Sequence, residues 1–303
     1  MESSLIFKTF VILGSQLFLV FAICLFVIKR ARLASETGTS LLGVTFTRET
    51  NSRGELDLQP AEESIGLQVL SWISIISMLA MVFLSHFSLT MGVLTMTITS
   101  ITLGPVLAMI MLNMDENDGL RALQLTVLIT FGAALVGMYS GIDFSGLGIY
   151  LVFALAALIL CRLVMLFTGF ASEQRRVIAI IGAILFTLFL VYDFYRLAYL
   201  DGQGVNDWQT ALQIAINLYL DIINLFIYIL RILNDKRVWW THNKKNRKYK
   251  KNHKRNFYFL LFYGHGLCFR SFFKVHPLRY LWFSSNSTRL ASESDRLCPV
   301  SFK

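Results

Sequence analysis

Charge is scarce in this chain. Charged residues make up 16% of its 303 residues and hydrophobic ones 55%, where a soluble domain carries roughly 25% charge. The apolar residues also sit in uninterrupted blocks of about twenty, long enough to cross a hydrocarbon layer about 30 Å thick. A soluble globule is therefore excluded. Lysine is absent between Arg30 and Asp235, so no retinal-type Schiff base can form inside the crossings. Cysteine is sparse: Cys24 and Cys161 fall within crossings, Cys268 and Cys298 in the tail. Their spacing fits neither a metal site nor a disulfide framework, which needs paired loop cysteines. A cleavable signal peptide is not expected either, because the first apolar stretch is too long for one. No protease motif, phosphate loop or metal-ligand cluster is present, so neither an enzyme nor a bound cofactor is expected.

The net charge of +9 comes from one end. Residues 1–235 hold 12 Lys and Arg against 17 Asp and Glu, whereas residues 236–303 hold 16 against 2. A mildly acidic body offers no surface for nucleic acid. The division predicts a membrane domain over 1–235 and a basic, disordered tail over 236–303. The run at 244–255, KKNRKYKKNHKR, would be drawn to anionic lipid by about 1 kcal/mol per basic residue near the surface. A solvated tail without a role is the simpler reading.

Hydropathy places crossings at about 9–28, 67–87, 90–113, 121–142, 147–168, 177–198 and 210–233. The expected fold is thus an all-α integral membrane bundle of seven helices, with a polar loop from about 30 to 65. Gly104-Pro105 predicts close packing and a local bend in the third crossing, and His86 an interfacial turn. Lys29, Arg30, Arg32, Arg121, Arg175, Arg176, Lys236 and Arg237 collect on one side. This predicts a cytosolic C-terminus in a multi-pass protein whose first partner is the lipid bilayer.

Ionisable residues inside hydrocarbon cost about 2.5–3.5 kcal/mol on insertion scales and are functional candidates by default. Arg162, Asp193 and Asp221 qualify. Counted along antiparallel helices, the two aspartates differ in depth by only about 6 Å. Asn217, Asp221 and Asn224 stand at i, i+4 and i+7, one polar stripe on an apolar helix that should face the bundle interior. The asparagines alone suit a structural role. Two carboxylates brought close in a low-dielectric site share a proton rather than both ionise. Protonated, such a pair latches helices together; deprotonated, it repels itself or attracts a cation such as Ca²⁺.

Two segments carry a resemblance. Val191-Tyr192-Asp193-Phe194-Tyr195-Arg196 and the run LYLDIINLF from Leu218 to Phe226, followed by ILRIL from Ile229 to Leu233, resemble the last two helices of the transmembrane Bax inhibitor motif family. The layout agrees over about residues 5–235, and the motifs are strongest in the last fifty. The resemblance implies six helices around a central seventh. It also implies a pH-sensitive calcium leak gated by Asp193 and Asp221, contributing to calcium homeostasis and, in eukaryotes, to suppression of cell death. It implies a bacterial inner membrane or a eukaryotic endomembrane such as the ER or Golgi. Bacterial members pair the aspartates with an Arg of the second helix; residues 67–87 contain none, which leaves Arg162 as the candidate counter-charge.

The leading expectation is therefore a calcium (cation) leak channel, with Ca²⁺ and protons as its ions and Asp193 and Asp221 able to hold Ca²⁺ transiently. The alternatives are a non-conducting regulator that binds other membrane proteins, a protease or an apoptosis factor, and a proton-coupled cation exchanger.

Overall fold

The computed structural model describes residues 4–41, 43–50, 56–60, 65–112, 116–168 and 172–242. Among them are seven helices: α1 (Leu5–Thr37), α2 (Ile65–Leu84), α3 (Leu89–Leu112), α4 (Glu116–Tyr139), α5 (Leu147–Thr168), α6 (Ser172–Gly202) and α7 (Trp208–His242). All but α5 contain a stretch long and apolar enough to cross a membrane; the apolar stretch described for α5, Leu147–Arg162, is shorter. The basic tail lies outside the described residues from 243 onward, together with Cys268 and Cys298.

The seventh helix is the core. From Ala211 to Leu230 every residue except Gln213 is buried, the mark of a helix surrounded by protein on all sides. Helices α1, α3, α4 and α6 pack directly on it, α2 closes against α3, and α5 closes against α6. The arrangement is six helices around a central seventh. Outward faces carry Phe18, Phe131 and Phe153, all exposed, as expected of side chains that meet lipid rather than water.

Small residues set the closest approaches. A Cβ at Gly104 would stand 2.7 Å from Ile23 Cγ2 and 3.1 Å from the Val20 carbonyl oxygen, so the close packing expected near Gly104-Pro105 is the contact of α3 with α1. Helix α3 continues through Pro105 to Leu112. Its start rests on α7, where a Cβ at Gly92 would meet Leu212 Cδ2 at 2.5 Å.

The loop after the first crossing differs from expectation in two ways. Helix α1 runs on to Thr37, well past the end of its apolar run, and stops at Gly38, whose left-handed φ of 68° lets its N–H bond the Ala34 carbonyl. Beyond it, β1 (Phe46–Thr50) and β2 (Leu56–Pro60) form an antiparallel hairpin with Phe46 opposite Pro60.

Candidate functional site

Asp193 and Asp221 are 1% and 2% exposed. They sit on α6 and α7, which pack along each other and are joined by residues 203–207 alone, so the two helices run antiparallel. A Cβ at Gly182 would meet Tyr228 Cζ at 2.5 Å, which sets these two positions level. Equal counts from that pair bring Asp193 level with Asn217. Asp221 is one helical turn away from that level, about 6 Å at 1.5 Å per residue, which agrees with the count from the connecting loop. Asn217 and Asn224 are buried too, so the whole polar stripe lies inside the bundle. None of the four side chains stands without an interaction there. Among the described residues no group of three or more His, Cys, Asp or Glu gathers to hold a metal ion.

Local structure explains how α6 presents Asp193. On the α4 side, a Cβ at Gly137 would stand 2.5 Å from the Val191 carbonyl oxygen, 2.8 Å from Phe194 Cβ and 2.9 Å from the Tyr195 nitrogen. Only a glycine lets α4 reach the turn of backbone that carries the aspartate. On the α1 side, Phe10 stacks on Phe194 with ring centroids 6.2 Å apart.

Arg162, the expected counter-charge, is buried at 4% exposure, with its guanidinium carbon 4.5 Å from the centroid of the Tyr228 ring. Tyr228 lies seven residues beyond Asp221, about two turns or 10 Å along α7. The structure thus engages Arg162 with an aromatic face at that remove from the aspartates.

Sequence reasoning missed a second polar cluster. Ser100 Oγ on α3 lies 2.9 Å from Gln16 Oε1 on α1 and 3.2 Å from the Tyr219 hydroxyl on α7, and Gln16 Nε2 donates to Thr97 Oγ1 at 3.1 Å. The signal available was Gln16, an amide in an otherwise apolar crossing. Nothing in sequence says which serine or tyrosine it meets.

The connected end of the α6–α7 pair is tied down. Lys8 Nζ, buried on α1, donates to the Asn206 carbonyl at 3.0 Å and lies 5.3 Å from the Trp208 ring centroid. Asp207 caps α7 by accepting the Thr210 N–H at 2.7 Å. Burial acts to raise the Asp207 carboxyl, but the Thr210 and Gln209 amides outweigh it and hold it below the ordinary value. Asp143, in the α4–α5 connection, accepts the Tyr195 hydroxyl at 2.7 Å and the Ser145 N–H at 2.8 Å. Those two hydrogen bonds, the tyrosine's first, lower its carboxyl as well. His86 sits at the exposed turn between α2 and α3, where Gln213 reaches its Nδ1 at 3.3 Å, in keeping with an interfacial position. Gln209 Nε2 donates to the Ser85 carbonyl beside it.

Comparison with known proteins agrees with this architecture. The family model described as inhibitor of apoptosis-promoting Bax1 matches residues 2–238. A Helicobacter pylori protein is 31% identical over 137 residues, 45% of this chain and 56% of its own length. One from Borreliella burgdorferi is 32% identical over 110 residues, 35% and 47% of the two chains. The Golgi anti-apoptotic protein of vaccinia virus is 34% identical over 119 residues, 39% of this chain and 48% of the viral protein. The chain thus spans about half the length of the curated relatives it matches. With its family model covering all of the seven-helix bundle but the last turn of α7, this chain belongs to the Bax inhibitor family.

Proposed function

We propose that the protein is a pH-sensitive cation leak of a cellular membrane, with Ca²⁺ as the permeant ion and Asp193 and Asp221 as sensor and gate. The reading rests on one observation: two aspartates, each no more than 2% exposed, on α6 and on the central helix that packs along it, about one turn apart in depth by residue count. An ionised carboxylate at such a position is costly, which makes both aspartates functional candidates by default. With a proton shared between them, the pair holds α6 against α7. Loss of that proton makes two like charges repel in a low-dielectric core and opens a path whose own wall attracts a divalent cation. A slow calcium leak of this kind lowers the stored calcium available to death signals, which accords with the anti-apoptotic description of the vaccinia relative. The bacterial and Golgi relatives support an inner-membrane or endomembrane location.

The test is Ca²⁺ flux into proteoliposomes compared from about pH 6 to about pH 8, read for the two aspartates as a coupled pair. Asp193→Asn and Asp221→Asn should each alter the flux and flatten its pH dependence. If both variants match the wild type throughout, the gate is wrong. Absence of flux in all three proteins, with a stoichiometric membrane partner on purification, would instead identify a non-conducting regulator.

A further inference from the structure

We propose that Arg162 and Arg231, gathered around Tyr228, form a binding site for the phosphate headgroup of an anionic lipid. Arg162 on α5 places its guanidinium 4.5 Å from the Tyr228 ring centroid, and Arg231, one turn further along α7, places its own at 5.7 Å. Phe186 on α6 stacks on the same ring at 5.5 Å, and Gly182 leaves room for its edge. Three helices thus build one rigid platform with two guanidinium groups upon it.

The platform leaves donor capacity unused. Arg162 is 4% exposed, yet its Nε has no hydrogen-bond partner among the described residues. A guanidinium carries five N–H donors and cannot shed its charge. A ring face attracts the charge but accepts none of the in-plane hydrogen bonds. A phosphate does, because the planar fork matches two phosphate oxygens at once.

Location selects the source of that phosphate. Arg162 lies six residues before the end of α5, about 9 Å along the helix, a distance over which a long basic side chain and a lipid headgroup can meet. In sequence, residues 173–176 and 235–237 hold four basic residues against two acidic ones. The outer faces of the two neighbouring helices are apolar and exposed, with Leu160 and Val164 on α5 and Val177, Ile181 and Ile184 on α6. Basic pockets between membrane helices recognise anionic headgroups in this way. The site is separate from the aspartate pair, so it stands or falls independently of the gating reading.

The experiment uses the full-length protein, delipidated in detergent, with thermal unfolding as readout because a ligand of the folded state raises the midpoint. Measurements at about 1 M NaCl, where the Debye length is about 3 Å, suppress binding to the basic tail. Phosphatidylglycerol should raise the midpoint well above the effect of phosphatidylcholine, with at least tenfold tighter apparent binding. Arg162→Gln should abolish the difference, and Arg162→Lys should restore part of it. Arg231→Gln, on the less buried guanidinium, should weaken it too and serves if Arg162→Gln does not fold. Equal responses to the two lipids, or an undiminished phosphatidylglycerol response in Arg162→Gln (in Arg231→Gln, should the former not fold), would overturn the proposal. A full response to inorganic phosphate alone would overturn the lipid as its source.

Discussion

The Tyr219 hydroxyl lies 3.2 Å from Ser100 Oγ in the centre of the bundle, with both residues buried. Ser100 has one proton, and its other close neighbours, Gln16 Oε1 at 2.9 Å and the Met96 carbonyl at 3.0 Å, can only accept. Tyr219 shares its hydroxyl with this serine and anchors the contact on α7. It stands two residues from Asp221, about 200° around the helix, so this bond fixes the rotation of α7 from the side opposite the aspartate.

Tyr219→Phe should cost about 1 kcal/mol, the net value of one buried hydrogen bond, with more if Ser100 is left short of a partner. Thermal unfolding in detergent measures it. Because both residues belong to one network, Ser100→Ala in the same chain should add less than its separate effect. Strict additivity would show that the two hydroxyls do not act together.

Gly137 and Gly132 lie on the same helix and should respond oppositely to alanine. At Gly137 a Cβ collides with backbone of α6 on either side of Asp193, at 2.5 and 2.9 Å, whereas at Gly132 nothing lies within 4 Å. Overpacking costs about 1–3 kcal/mol, while an unobstructed helical Gly→Ala gains about 0.5–1 kcal/mol. Gly137→Ala should thus lower the unfolding midpoint and Gly132→Ala raise it. Equal shifts would contradict the close approach of α4 to the aspartate turn.

What was legible in the sequence follows from physics that acts locally. The stripe of Asn217, Asp221 and Asn224 could be placed inside the bundle because polar groups facing lipid are costly, and all three are buried. The crossings were legible because hydropathy reports an apolar run. It does not report where a helix stops: Lys29, Arg30 and Arg32 end the run of α1, yet Ala31 among them and Ala34 beyond them are buried and the helix persists to Gly38. The hairpin from Phe46 to Pro60 escaped notice because two five-residue strands in a polar loop carry no strong periodicity. Lys8 reads as a boundary marker, and the engagement of Arg162 with Tyr228 depends on a meeting of α5 and α7 that no local pattern encodes.

Lys8 illustrates the consequence. Its ammonium holds the α6–α7 connection to α1 through the Asn206 carbonyl, while Asp201 accepts the Ile6 N–H at 3.4 Å nearby. Lys8→Met keeps the apolar stem and removes the donor, leaving the Asn206 carbonyl without its charged partner. Amide hydrogen exchange should quicken at residues 203–208 and stay unchanged in the middle of α7. Unaltered exchange in the connection would show that Lys8 does not clamp it.

The lowered carboxyls of Asp143 and Asp207 give a control on any pH response. Each is held below the ordinary value of 3.8 by hydrogen bonds made in the folded state. A depressed folded-state value means that the stabilisation is complete above the unfolded carboxyl's titration and is lost as pH falls through the folded one. Both contributions are therefore whole at neutral pH and constant between about pH 6 and pH 8. Asp207→Asn, which keeps a capping oxygen, should leave the flux-against-pH curve in place, whereas Asp207→Ala should cost about 1 kcal/mol of stability and shift no pH midpoint. Asp143→Asn should likewise lower stability at neutral pH, by an amount that shrinks as pH falls through the folded carboxyl, and leave the neutral-range midpoint of the flux in place. A neutral-range midpoint displaced by either asparagine variant would transfer the proposed sensing role from the buried aspartates to the loops.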